Sequence, residues 1–343
     1  MTLDEAFEFY LPIIDEELRA PFETLAPALQ PFYGMMGYHL GWLDESLSAV
    51  PAKSGKRLRP LLCLLACRAA GGNEMDAVPV AATLELIHNF SLVHDDIEDN
   101  SPTRRHRRTV WAVWGQPHAI NLGDGLFALA FLNLSRLKAS LPATRFRRIF
   151  ESCARACLRL CEGQYMDMSF ETRIEVAEDE YLQMISGKTA ALLSCSCLVG
   201  ALVGTDDPEV ADRYGLFGEQ LGLAFQIQDD ILGIWGDPKV TGKPIGDDIL
   251  HCKKTLPVLF ALKRETELGG HKLAELYARG VVSEDQIPLA LEEFNRLGAL
   301  DYARKANWAY CDSALEQIKA LSSETASHSV LVELVERLRE RPS

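Results

Sequence analysis

Residues 88–105 read HNFSLVHDDIEDNSPTRR: aspartates at helical spacing run into a loop that ends in paired arginines. On a helix of about 3.6 residues per turn, His88, Leu92, Asp95 and Asp99 fall on one longitudinal stripe, with Asp96 just beside it. Like charges one turn apart repel by a few tenths of a kcal/mol unless a cation sits between them, so nothing in a solvated helix asks for such a stripe. Glu98 points off it, as a surface charge. Far downstream a second acidic pair, Asp229 and Asp230, stands in FQIQDDILGIWGD. Two separate acidic helical patches predict two sides of one metal-filled cavity.

The rest of the chain bounds what that cavity serves. With 48% hydrophobic and 24% charged residues in 343, the composition is that of a globular chain with a sizeable core. A formal charge of −14 speaks against nucleic acid as a partner, because such binding rests on cationic neutralisation of phosphates. Nine cysteines without zinc spacing, with Cys153, Cys157 and Cys161 repeating every four residues, read as small core groups of a reduced, cytoplasmic chain. The acidic N-terminus shows no basic segment followed by an apolar one, so no secretory signal is expected. The longest apolar stretch, residues 192–204, is too short to span a bilayer and reads as a buried helix.

Helical signals recur throughout. Thr2 and Glu5 form a capping-box pattern, and Gly71-Gly72 stops the helix that climbs from RLRP. Pro79 opens the central helix that carries the first cluster. Further helices are expected over 119–140, 144–162, 177–204 and, capped by Asp207 with Pro208 at its first position, up to 236. Residues 237–255 lack a period and read as a functional loop, and 256–341 alternate amphipathic helices with turns at Gly269-Gly270 and Gly280. No stretch alternates long enough for a sheet. The expectation is an all-α chain, one large helical bundle around a central cavity, with residues 1–343 as a single domain.

Magnesium takes oxygen ligands and commonly binds through a few carboxylates plus substrate phosphates. Asp95, Asp99 and Asp229 could serve it, with diphosphate oxygens completing the shells. Matching cations are at hand in Lys56, Arg57, Arg59, Arg104, Arg105, Lys188, Lys243, Lys253 and Lys254. Taken singly, each motif has a plainer reading. DDIED also fits a solvated helix face, residues 104–108 a solvated loop, and Lys188-Thr189 is a commonplace pair. Gly55-Lys56 lacks the P-loop's second glycine and hydroxyl.

Taken in order the pieces are specific. GKRLRP, ELIHNFSLVHDDIEDNSPTRR, GD at 123–124, GKTA, FQIQDDILGIWGD, GKPIGDDI and KKTLP make the chain resemble the trans-isoprenyl diphosphate synthases over roughly residues 50 to 260. The resemblance implies a magnesium-dependent, head-to-tail prenyl transfer by a homodimer. Asp95, Asp96, Asp99, Asp229 and Asp230 match the aspartates that hold magnesium on an allylic diphosphate (dimethylallyl, geranyl or farnesyl). Arg104, Lys188, Gln226, Lys243 and Lys253 match further contacts to that diphosphate. Lys56, Arg59, His88 and Arg105 match the pocket for isopentenyl diphosphate, and Thr189 and Gln226 match polar groups that steady developing charge. The physical chemistry agrees, since a departing diphosphate leaves an allylic cation that metals and cations favour and that water would quench.

Taken without the resemblance, His88 also fits a satisfied core histidine and Phe90 plain packing. Phe90, with Ser91 beside it, stands five residues before Asp95, about 7.5 Å down the axis. In the family an aromatic there floors the growing chain, and with only two residues between Asp96 and Asp99 the pattern looks like short-chain geranylgeranyl synthases, with the farnesyl product as the alternative. Two positions depart from the pattern. Gly233 stands where the second motif usually has a third aspartate, with Asp237 one further turn along, and His106 and Arg108 replace a usual glycine and proline. Two other readings stay open: a terpene cyclase, which has no use for Lys56, Arg59, His88 and Arg105, and a non-catalytic subunit of a heteromeric synthase.

Overall fold

A computed structural model describes residues 1–22, 26–51, 55, 57–137, 141–173, 175–237, 246–278, 280–321 and 326–340. Lys56 and Lys243 lie outside the described residues. The chain divides into two compact units, Met1–Cys153 with Ser196–Ala211 and Thr325–Val330, and Ala154–Cys195 with Asp212–Glu324 and Leu331–Ser343. Both are helical, and the one two-stranded ribbon among the described residues is four residues in all.

In the first unit, α1 (Leu3–Arg19) opens on the expected capping box, Thr2 Oγ1 accepting from Glu5 N and Glu5 Oε2 from Thr2 N. It is followed by α2 (Gln30–His39), α3 (Leu58–Ala69) and α4 (Val78–Glu98). The last has Pro79 in its first turn and buries Val80, Ala81, Ala82, Leu84, Leu86 and Ile87. A helix apolar on so many faces has to sit inside its unit. Against it lies α6 (Gln116–Leu134), tied by Thr83 Oγ1 donating to the Ala130 carbonyl at 3.1 Å and Asn133 Nδ2 to the Pro79 carbonyl at 2.6 Å. Between them comes the short α5 (Val110–Trp114). A Cβ on Gly200 would lie 2.1 Å from the Cys63 carbonyl oxygen, so this stretch of helix meets α3 backbone to backbone.

A buried ion pair fixes the entry to α3. Arg57 donates to Glu85 Oε1 at 2.7 Å, lies 3.3 Å from Asp15, and Asn89 Nδ2 holds the same Glu85 oxygen at 2.8 Å. Arg57 is therefore a structural cation, not one offered to a ligand.

The second unit holds the C-terminal part of α7 (Ala143–Glu171), α8 (Glu178–Ile185), a π-helical turn Ser186–Ala190, the start of α9 (Ala191–Gly204), and most of α10 (Pro208–Trp235). Its core gathers Phe170, Tyr181, Ile185, Ile227, Ile231 and Leu256, with a second cluster around Ile234, Val258, Leu273 and Phe294. The helical run Glu178–Gly204 is 27 residues and, by length and composition, long enough to cross a membrane, which corrects the expectation built on residues 192–204 alone. Of its most apolar window 72% is buried inside the fold, as in a core helix.

Candidate active site

The first acidic cluster sits in the last turn of α4, where the helix dipole disfavours anions. Its members differ. Asp95 is half-buried and Asp99, the C-cap, is exposed, as is Glu98. Asp96 is 2% exposed and accepts from Arg104 Nε at 2.7 Å. Burial pushes its carboxyl up to about 6, against the pull of that guanidinium.

Thr103–Arg104 and Arg107–Arg108 pair as a hairpin whose two central residues, Arg105 and His106, are both left-handed at φ 51° and 61°. A two-residue loop of this kind needs positive φ twice, which explains why glycine is the usual tenant of the second position. The ribbon is clamped by Tyr38, whose hydroxyl donates to the Arg108 carbonyl at 2.7 Å while Arg107 covers its ring at 4.1 Å. Arg105 is thereby sent toward Gly55, where a Cβ would stand 2.7 Å from its guanidinium carbon. The glycine of GKRLRP makes that room. Burial, and then Arg59, Arg105, Arg104 and His39, hold the His88 imidazole well below its usual range. Arg59, His88 and Arg105 are therefore electrostatic neighbours. His39, which the motifs did not single out, joins them and helps line a small cavity of about 30 Å³ with Asp96, Arg104, Arg105 and Arg107.

Phe90 is 6% exposed, its ring edge-on to Phe127 at 5.1 Å and His94 at 6.0 Å, and the ladder continues through Phe131 to Phe150. The Ser91 hydroxyl is spent on the His88 carbonyl at 2.9 Å. Gly123 of the GD pair lets the His94 ring in, a Cβ there lying 2.2 Å from Nε2.

In the second unit a cavity of about 400 Å³ is lined by Asp229, Asp230, Gln226, Lys188, Lys253 and Lys254 among others. Asp229 is half-buried. Asp230 is fully engaged: Tyr181 donates its hydroxyl to Oδ2, Leu256 N reaches the same oxygen at 3.3 Å, and Gln226 Nε2 donates to Oδ1 at 3.0 Å. Burial, with Asp248 adding like charge, raises its carboxyl to about 7. Gln226 in turn accepts from the Thr189 hydroxyl at 2.6 Å, so Thr189, Gln226 and Asp230 form one relay of hydrogen bonds.

Lys188 and Thr189 both belong to the π-helical turn, an irregularity that recurs at functional sites. The turn presses on α7 at Gly163, whose Cβ would lie 2.1 Å from Lys188 N. Lys188 Nζ meets Asp167 at 2.5 Å, Lys253 Nζ stands 4.0 Å from Asp248, and Lys254 caps the Tyr277 ring at 5.0 Å. Asp167, Tyr181, Asp248 and Thr255 also line the cavity and escaped sequence reasoning. No spacing rule relates them to the acidic pair. The Thr255 hydroxyl is buried without a hydrogen-bond partner.

Among the described residues no three His, Cys, Asp or Glu side chains gather as a metal cage. The second-unit cavity instead offers carboxylate oxygen, lysine ammonium groups and an orphaned hydroxyl, a donor set suited to a hard cation carried on a polyanion.

Comparison with known proteins adds the lineage. The model of the polyprenyl synthetase family matches residues 41–294. A geranylgeranyl diphosphate synthase of Mycobacterium tuberculosis is 48% identical over 287 residues, 81% of each chain. A (2E,6E)-farnesyl diphosphate synthase of Mycobacterium bovis is 43% identical over 250 residues, 73% of this chain and 68% of that one. The crystal structure of a geranylgeranyl pyrophosphate synthetase from Pyrococcus horikoshii matches with a TM-score of 0.88 at 33% identity, covering 99% of both chains.

Proposed function

The chain belongs to the polyprenyl synthetase family, and from that premise we propose that it condenses allylic diphosphates with isopentenyl diphosphate head to tail, with geranylgeranyl diphosphate as product. The observation that carries the reading is the 400 Å³ cavity, where Asp229 shares its walls with Lys188, Lys253 and Lys254 beside the unpartnered Thr255 hydroxyl. Asp229 there, and Asp95 with Asp99 on α4, would hold magnesium on the allylic diphosphate. The bound ions would neutralise the charge that grows on the leaving diphosphate.

This chain's own groups do the rest. Lys188, Lys253 and Arg104 add positive charge for the same oxygens. The Thr189 and Gln226 side-chain oxygens, anchored through Asp230, present fixed dipoles beside the π-turn. Arg59, His88 and Arg105 take the isopentenyl diphosphate. The imidazole, kept neutral by those arginines, can offer a ring N–H without adding charge. Phe90 floors the chain. Free cysteines, eight of the nine buried, support a cytoplasmic setting, and exposed Ile120, Phe127 and Leu132 on α6 support a homodimer.

Purified chain given isopentenyl diphosphate, magnesium and dimethylallyl, geranyl or farnesyl diphosphate in turn should yield a twenty-carbon product by mass spectrometry, and none with EDTA. A fifteen-carbon end product would favour the farnesyl alternative. Cyclic hydrocarbon from the allylic substrate alone, or no turnover without a companion chain, would overturn the proposal.

A further inference from the structure

We infer that Asp248 supplies the third carboxylate of the downstream acidic set, occupying the space that Gly233 leaves open. Residue 233 lies four beyond Asp229, one turn along the same face of α10, where a third acid would stand. A Cβ built on Gly233 would fall 2.0 Å from Asp248 Oδ2 and 2.5 Å from its Cγ. A side chain at 233 and the Asp248 carboxylate therefore exclude one another as they stand.

Asp248 comes from a separate short helix, Asp247–Leu250, entered through the left-handed Gly246 at φ 76°. It is 7% exposed and faces the same cavity as Asp229 and Asp230, with Lys253 Nζ 4.0 Å from Oδ1. Its charge is felt inside the set, raising both Asp230 and Tyr181. Asp237, the nearest other acid along α10, is exposed and does not line the cavity. The carboxylate that the helix lacks is thus delivered from the following segment, and the missing Cβ is what admits it.

The inference rests on the proposed magnesium reading, so its test reads metal binding rather than turnover. Manganese, another hard cation, is titrated into the full chain with inorganic pyrophosphate and followed by electron paramagnetic resonance. Asp248→Asn should weaken manganese binding about tenfold or more, the range seen when a carboxylate supporting a metal is removed. Gly233→Asp alone should also weaken it, by expelling the Asp248 carboxylate, while the exchange Gly233→Asp with Asp248→Ala should regain most of the affinity. The exchange carries the test even where a single variant folds poorly, since recovery cannot come from a misfolded chain. Unchanged binding in Asp248→Asn, or an exchange variant that binds no better than Asp248→Ala, would overturn the inference while leaving the magnesium reading intact. A parent chain that binds no manganese with pyrophosphate would overturn both.

Discussion

Lowering the pH from 7.5 to 5.0 is expected to weaken the folded state by about 2 kcal/mol through one ring, the His39 imidazole. That ring closes α2, and its Nε2 is buried with no hydrogen-bond partner. Burial comes first among the causes, then Arg104, Arg105 and Arg57, and together they hold it at about 3. An unfolded histidine takes its proton near 6.5. As the pH falls below that value the unfolded chain binds a proton that the folded chain refuses until about 3, so the stability present above 6.5 is progressively lost. At pH 5 the unfolded state has gained roughly 1.5 logarithmic units of proton affinity, or about 2 kcal/mol. The His88 imidazole, held down by the same arginines, pushes in the same direction. Asp96, raised to about 6, opposes it, taking up a proton on folding as the pH falls. The clean measurement is therefore a difference: urea unfolding at both pH values for the parent and for His39→Gln, which keeps a polar side chain that cannot charge. The variant should lose about 2 kcal/mol less than the parent on acidification. Equal losses in the two chains would refute the placement of a neutral imidazole among three guanidinium groups.

Three further outcomes follow from the same coordinates. His106→Gly should raise the melting temperature, gaining about 1 kcal/mol in denaturant unfolding, because it relieves a non-glycine residue at φ 61° in the hairpin loop. Glu85→Ala should cost about 3 kcal/mol or more by the same measurement, since it strips the Arg57 guanidinium, itself fully buried, of its 2.7 Å partner and leaves only Asp15 at 3.3 Å. Phe127→Ala should lengthen the prenyl products seen by mass spectrometry, as Phe90→Ala should, because the two rings meet edge-on at 5.1 Å and each supports the other as a floor. An unchanged product in both variants would make the pair mere packing.

The helices were legible because their signals are local. The Thr2–Glu5 box, Pro79, and Asp207 accepting from Glu209 N and Val210 N each act within one turn of the chain. Motif order likewise announced the family. What stayed hidden depends on approach between distant segments. The π-turn at 186–190 forms where Gly163 admits another backbone, and nothing in SGKTA by itself distinguishes it from an α-helix. Arg57 looks like its neighbours Lys56 and Arg59 in sequence, yet Glu85, twenty-eight residues on, makes it structural. Tyr181 and Asp248 acquire their roles from Asp230 and Gly233 across gaps that no periodicity bridges.

The two acidic motifs share a division of labour that their letters conceal. In each, the second aspartate is buried and held by donors of the protein itself, Asp96 by Arg104 and Asp230 by Tyr181, Gln226 and the Leu256 amide. In each, the first, Asp95 or Asp229, is only half-buried. A carboxylate already accepting such bonds has little lone-pair capacity left for a metal, whereas it orients its helix and whatever donates to it. The paired aspartates are thus two different devices set side by side, a ligand and its anchor. Asp230→Asn should accordingly disturb the Thr189–Gln226 relay, whereas Asp229→Asn should first weaken metal binding, and a reversal of those two effects would show the assignment to be the wrong way round.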